Sequence, residues 1–310
     1  MLRRRIGVIM LCMLALLAST GSPAQAGTRD RLMYYVQSTG AGAIGYVDSI
    51  DHVTLRSYSA GSFSTGWTHI VNVGDGLLYY NSRTGAAATG YLDSASNHIA
   101  VRSYPAGSFA TGWTHIEQFD FQRLLYYNSR TGAVMIGKVD DGRNHSVVRN
   151  YPAGFFSTGW THIAGAFAGG LFYYNSSTGA AATGIVGWEG EHTTTQSYPA
   201  GSFATGWTHI VSASSRLWFY NSSTGAGAIG YVDPTSKHHE TKRSYPAGSL
   251  ATGWTHVVPR SGGVFSYNAA TGAGASGSID PHSNQHTTTH SFSAGFFSPG
   301  WTHIARTFVP

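Results

Sequence analysis

Twelve of the chain's fifteen histidines fall into two series with a fixed offset. His69, His115, His162, His209, His256 and His303 form one series, and His52, His98, His145, His192, His239 and His286 each precede a member of it by 17 residues. Neutral imidazole is the commonest metal-ligating side chain, so such a pattern first suggests metal chemistry. The companions argue against it. The recurring carboxylate at Asp48, Asp93, Asp140, Asp233 and Asp280 is Gly187 in the fourth copy, and no close His-x-His spacing recurs. A hydrogen-bonded Trp-Thr-His-Asp network inside each repeat accounts for the histidines, and no metal or other cofactor is expected. Catalysis has no evident constellation either. Every histidine of the two series is six-fold, whereas an active site in such a ring is asymmetric, and glycoside hydrolysis needs two carboxylates facing one cleft at about 5–10 Å. The local acidic clusters, Asp140-Asp141 and Glu189 with Glu191, sit among turn residues. The expectation is that the protein is not an enzyme and has no catalytic residues.

Binding is the alternative. Trp67, Trp113, Trp160, Trp207, Trp254 and Trp301 recur beside Tyr58, Tyr104, Tyr151, Tyr198 and Tyr245, and beside Asn81, Asn128, Asn175, Asn221 and Asn268. A sugar ring offers an apolar face to an aromatic side chain and hydroxyls to an amide. These residues are therefore the candidate ligand-binding set, with packing between neighbouring units as the competing role for the tryptophans. The first copy carries Val36 where the others carry Asn.

All of these residues are positioned by one repeated unit. Gly-Trp-Thr-His-Ile begins at Gly66 and returns at Gly112, Gly159, Gly206, Gly253 (with Val257 last) and Gly300, in steps of 46 or 47 residues. Such self-similarity marks a solenoid, a propeller or an array. Within a unit, Trp67 to Val71, Leu77 to Tyr80, Thr89 to Asp93 and His98 to Tyr104 read as strands, being short, aromatic or β-branched, and bounded by turn residues. Gly90-Tyr91 answers Gly66-Trp67 after 24 residues, so each unit also reads as two hairpins. Four strands per unit is the size of a propeller blade.

The period and strand count resemble the blades of β-propeller lectins of the tachylectin kind. Gly66-Trp67, Tyr79-Tyr80, Asn81, Gly85-Ala86 and Thr89-Gly90 also follow the order of the cell-wall-binding repeats of choline- and glucan-binding proteins, which form open solenoids with a period of about 20 residues. The fold expected is all-β, a six-bladed β-propeller of four-stranded antiparallel blades, with an open β-hairpin solenoid as the alternative. The chain begins near the aromatic strand at Met33-Tyr34-Tyr35 and ends with Trp301 to Val309, so the last segment is expected to complete the first blade. The Asn-Ser-x-Thr-Gly-Ala turn and the Tyr-Pro-Ala-Gly-Ser-Phe loop then share one rim. The loops after Trp-Thr-His-Ile, Glu117 to Asp120 among them, lie on the variable one.

Residues 1–26 have the basic start, apolar stretch and Ala24-Gln25-Ala26 site of a secretion signal, leaving 27–310 as a single six-repeat domain. The one cysteine, Cys12, lies in that leader, so the remainder has no disulfide. Without Arg3, Arg4 and Arg5 the balance is 16 basic against 14 acidic residues, a net +2, with no basic stripe of the kind nucleic acid requires. Charged residues make up 11% of the chain, against about a quarter in typical domains. Together these features predict a secreted, multivalent, lectin-like protein whose partners are glycans or cell-surface polysaccharide, with no nucleic acid and no membrane insertion. A cell-wall or choline-binding module and an adhesion scaffold are the alternatives.

Overall fold

Strand formation follows the alternation and aromatic content of each repeat. In the computed structural model, which describes residues 30–48, 51–167 and 169–308, these stretches form six four-stranded antiparallel sheets. One blade consists of His69–Val73, Gly76–Tyr80, Ala87–Leu92 and His98–Tyr104, in that spatial order. The first strands of successive blades touch one another all the way round, from His69–Val73 through His303–Thr307 and back. They therefore line a central channel, and the open solenoid is excluded. The leader and its cleavage site lie outside the described residues.

The ring closes as the sequence predicts. His303–Thr307 pairs with Arg31–Val36, so the C-terminal strand supplies the innermost strand of the blade that the N-terminal strands begin. Asp30 holds the seam from one side: its carboxylate accepts from the Arg306 guanidinium (Nε at 2.9 Å) and from the Ser261 backbone N–H.

The second strand of each blade is buried along its length, as Gly76–Tyr80 and Arg123–Tyr127 show. Burial on both faces explains its continuous apolar run. The outermost strand, such as His98–Tyr104, alternates toward solvent. Core clusters straddle blade boundaries: Leu78 and Tyr80 of one blade pack with Leu124 and Tyr126 of the next, around Phe109 and Trp113 of the crossing loop. Each blade needs its neighbour to cover its face, as expected of stacked repeats.

Three of the four strands in the blade from His69 to Tyr104 have bounds other than those expected, and only His98–Tyr104 keeps both. The Trp strand begins at His69, not Trp67; just before it the Thr68 hydroxyl joins the Thr68 N–H on the Tyr80 carbonyl and accepts the Ser82 N–H. The third strand ends at Leu92, since the Asp93 carboxylate accepts the Asn97 N–H and caps the turn. In the copy that lacks the aspartate, the Glu191 carboxylate accepts the Glu189 N–H, and the Gly187 and Trp188 carbonyls receive the Arg123 guanidinium.

Two recurring glycines have distinct causes. Gly85 adopts φ +69°, and a Cβ there would lie 2.1 Å from the Phe109 carbonyl oxygen of the crossing loop. Gly90 instead sits where the third and fourth strands slip register, and a Cβ would meet His98 Nε2 at 2.9 Å and the Ile99 carbonyl at 2.6 Å. That slip recurs in all six blades, each time at the equivalent glycine. The glycine of the second hairpin thus exists to seat a histidine ring.

Candidate functional site

The inner histidines form a belt between blades. His69 Nε2 donates to the Thr114 carbonyl at 3.2 Å, His115 to Thr161 at 2.9 Å and His162 to Thr208 at 3.0 Å. His209, His256 and His303 continue to Thr255, Thr302 and Thr68, which closes the circle. Each Nδ1 lies 2.9–3.0 Å from the hydroxyl of the preceding threonine. The network expected within each blade through Trp and Asp therefore runs between blades, through Thr and His alone. Burial pushes all six imidazoles down, His69 to about 4. They are neutral belt members at ordinary pH.

The second histidine series sits in clefts between blades. His98 lies 4.9 Å from the Phe63 ring and 5.5 Å from Tyr79, and His145 lies 4.5 Å from Phe109. Burial brings His52, His98, His145, His192, His239 and His286 down to about 4. Among the described residues, no group of three or more His, Cys, Asp or Glu side chains is placed to hold a metal.

The candidate binding residues line these same clefts, and the amides of the asparagines and the hydroxyls of the tyrosines are engaged by the protein. The Asn81 amide oxygen accepts the N–H groups of Arg83 and Thr84, and Asn128, Asn175, Asn221 and Asn268 cap the same turn in their copies. The hydroxyl of Tyr58 accepts the His98 N–H, tying one blade to the next, and Tyr104, Tyr151, Tyr198 and Tyr245 do likewise. Trp67 and Trp113 are buried, whereas Trp160, Trp207, Trp254 and Trp301 are half-buried.

The largest departure from six-fold sameness lies in the channel. At the variable-rim end it widens to a cavity of about 590 Å³ lined by Val71, Asn72, Glu117, Gln118, Asp120, Ser212, Val258 and Arg306. The inner-strand position two beyond the histidine is Val71, Ala164, Val211, Val258 and Ala305 in five blades and Glu117 in the sixth. Burial drives the Glu117 carboxyl up to about 7, and the Gly165 N–H, donating at 2.9 Å, offsets this only in part. Beside it, the Asn72 amide donates to Gln118 Oε1 at 2.8 Å and the Gln118 amide to the Phe121 carbonyl at 3.0 Å. A carboxyl poised near neutrality in the wall of a cavity can both take and return a proton. Sequence inspection placed Glu117 on a variable rim. The available signal was the alignment of the six copies, in which a single acid interrupts an apolar position.

No known family profile matches the chain, and no curated protein matches its sequence. Solved structures do share its fold. The Pseudomonas aeruginosa periplasmic gluconolactonase PpgL aligns over 91% of this chain and 99% of its own, at 14% identity and a TM-score of 0.55. A Bacteroides fragilis protein described as a candidate 6-phosphogluconolactonase aligns over 93% and 100%, at 9% identity and 0.57. A Lactobacillus plantarum protein aligns over 91% and 100%, at 11% identity and 0.60. At such identities the likeness shows the fold, a propeller of repeated four-stranded blades, and not the activity. The resemblance to lectins and to choline-binding repeats is not among what these structures support. They also overturn the expectation of a glycan-binding protein that is not an enzyme, because the neighbours named for an activity are lactonases. Among the described residues, no helix is long and apolar enough to cross a membrane.

Proposed function

We propose that the chain is a lactone-hydrolysing enzyme that works in its central channel, with Glu117 as the general base. The observation that carries this is the Glu117 carboxyl, poised near pH 7 in the cavity wall, at a strand position that is apolar in the other five blades. The lactonase neighbours supply the reaction class by analogy of fold alone. Ionised Glu117 takes a proton from a water molecule, whose oxygen attacks the lactone carbonyl. The ring C–O bond then breaks, and the proton passes from Glu117 to the departing alkoxide, leaving a hydroxy acid. An extracytoplasmic site of action is part of this proposal, supported by the leader-like N-terminus and by one periplasmic neighbour.

The test is hydrolysis of glucono-1,5-lactone by the purified protein, corrected for the spontaneous reaction. Since the base must be ionised, kcat/KM should rise about tenfold per unit below pH 7 and level off above it. Glu117→Gln should lower kcat by about 100-fold or more. It should also raise Tm at pH 8, because a desolvated charge has been removed, and that rise shows the variant is folded. A wild-type rate equal to the spontaneous one rejects the proposal.

A further inference from the structure

The cavity around Glu117 has an unusual charge balance. Its ionisable lining consists of Glu117, Asp120 and Arg306. Asp120 is paired with Arg123 at 2.5 Å and also accepts that residue's backbone N–H. Arg306 is engaged through Nε and Nη2 with Asp30, at 2.9 and 2.7 Å, and through Nη2 with the Ser261 hydroxyl at 3.2 Å. Both pairs are neutral as units. Glu117, held only by the Gly165 N–H, is the one lining group whose charge no opposite charge balances. Phosphate recognition uses forked guanidinium groups or lysines free to face the anion, and this cavity offers neither: its one arginine is already committed, and no lysine or histidine lines it.

Resting on the proposal that the channel hydrolyses lactones, we infer that its substrate is an uncharged lactone and not a phosphorylated one, and that the same charge expels the product. A phosphate dianion would enter beside a carboxylate that must itself be ionised to act, against protein walls where repulsion exceeds that in bulk water. Hydrolysis turns a neutral ring into a hydroxy acid, which loses its proton to solvent and becomes a carboxylate. That anion then faces ionised Glu117 in a cavity open to solvent at the variable rim. Attraction to the neutral substrate is unaffected, while the product is repelled.

The experiment compares glucono-1,5-lactone with its 6-phosphate on the full chain at pH 7.5, and titrates gluconate calorimetrically into wild type and Glu117→Gln at pH 8. The expected result is a kcat/KM at least about 100-fold higher for the unphosphorylated lactone. KM for the phosphate ester should fall as salt rises, since screening weakens the repulsion. Gluconate should bind at least about tenfold more tightly to the Gln variant at pH 8, with the difference narrowing toward pH 6, where most of Glu117 is protonated. Equal or better turnover of the phosphate ester overturns this inference and leaves the hydrolase proposal standing. Equal gluconate affinity in the two proteins at pH 8 also overturns it. Turnover of neither lactone overturns the hydrolase proposal itself.

Discussion

Acidification should unfold this ring cooperatively at a pH where most proteins of its size are stable. Seven imidazoles, those of His52, His69, His98, His145, His192, His239 and His286, are held down to about 4 by burial, against 6.5 in an unfolded chain. The native state keeps them neutral and the unfolded state protonates them first. Their contribution is therefore complete above pH 6.5 and is lost as pH falls toward 4. Each pH unit in that window removes about 1.4 kcal/mol per histidine. Seven would remove about 10 kcal/mol per unit; halved for the solvent access some of them retain, the loss is still about 5 kcal/mol per unit. For a stability in the lower half of the usual range, about 5–10 kcal/mol, the midpoint falls between about pH 4.5 and 5.5. Tryptophan fluorescence and near-ultraviolet circular dichroism along a pH titration would locate it, and the steepness would count the protons taken up. His145→Leu should reduce that uptake by about one, since this ring lies in an apolar cleft over Gly137 and its Nε2 has no hydrogen-bond partner. A midpoint below pH 4, or uptake of only one or two protons, would refute the reasoning. Asp93 and Asp140 are held below the usual carboxylate range by bonds from Asn97 and Asn144, so their contribution fades at lower pH and does not blur the window.

Two further outcomes follow from the belt and the seam. Thr161→Val removes a hydroxyl that meets His162 Nδ1 at 2.9 Å, the Tyr174 carbonyl at 3.2 Å and the Ser176 N–H at 2.9 Å. It should cost about 2 kcal/mol and lower Tm by roughly 5 °C in calorimetry, with Thr161→Ser recovering most of the loss. Ending the chain before His303 deletes the strand that pairs with Arg31–Val36 and the Asp30–Arg306 contact. In solution scattering the shortened protein should lose the radius of gyration of about 19 Å expected for the closed ring.

The difference between what the sequence disclosed and what it hid follows from which features are periodic. Trp67, His69, Tyr80 and Gly85 recur because every blade must meet the same neighbour, so copy number and strand order were legible from spacing, and ring closure from where the repeats start and stop. Periodicity shows that a residue is required six times, but not what it touches. The Asn81 amide and the Tyr58 hydroxyl, side chains that could equally greet a sugar, instead satisfy backbone N–H groups of a turn and of the next blade. The histidine belt was invisible for a related reason: His115 and Thr161 are 46 residues apart, and their bond exists only after two blades have docked. Glu117 is the converse case. Repetition conceals it, because a repeat is read for what it keeps, whereas acid–base work in a symmetric ring falls to a residue that departs from the pattern. Nothing in Glu117-Gln118-Phe119-Asp120 says which of its two acids faces a void. Asp120 lies three residues from Arg123, so the turn itself neutralises it. Glu117 lies on the strand two residues after His115, on the same face, where its carboxylate accepts the Gly165 N–H of the next blade and the cost of burying its charge sets its pKa near 7. In a symmetric ring of this kind, the position at which five copies are apolar and one is ionisable is the first place to look for chemistry.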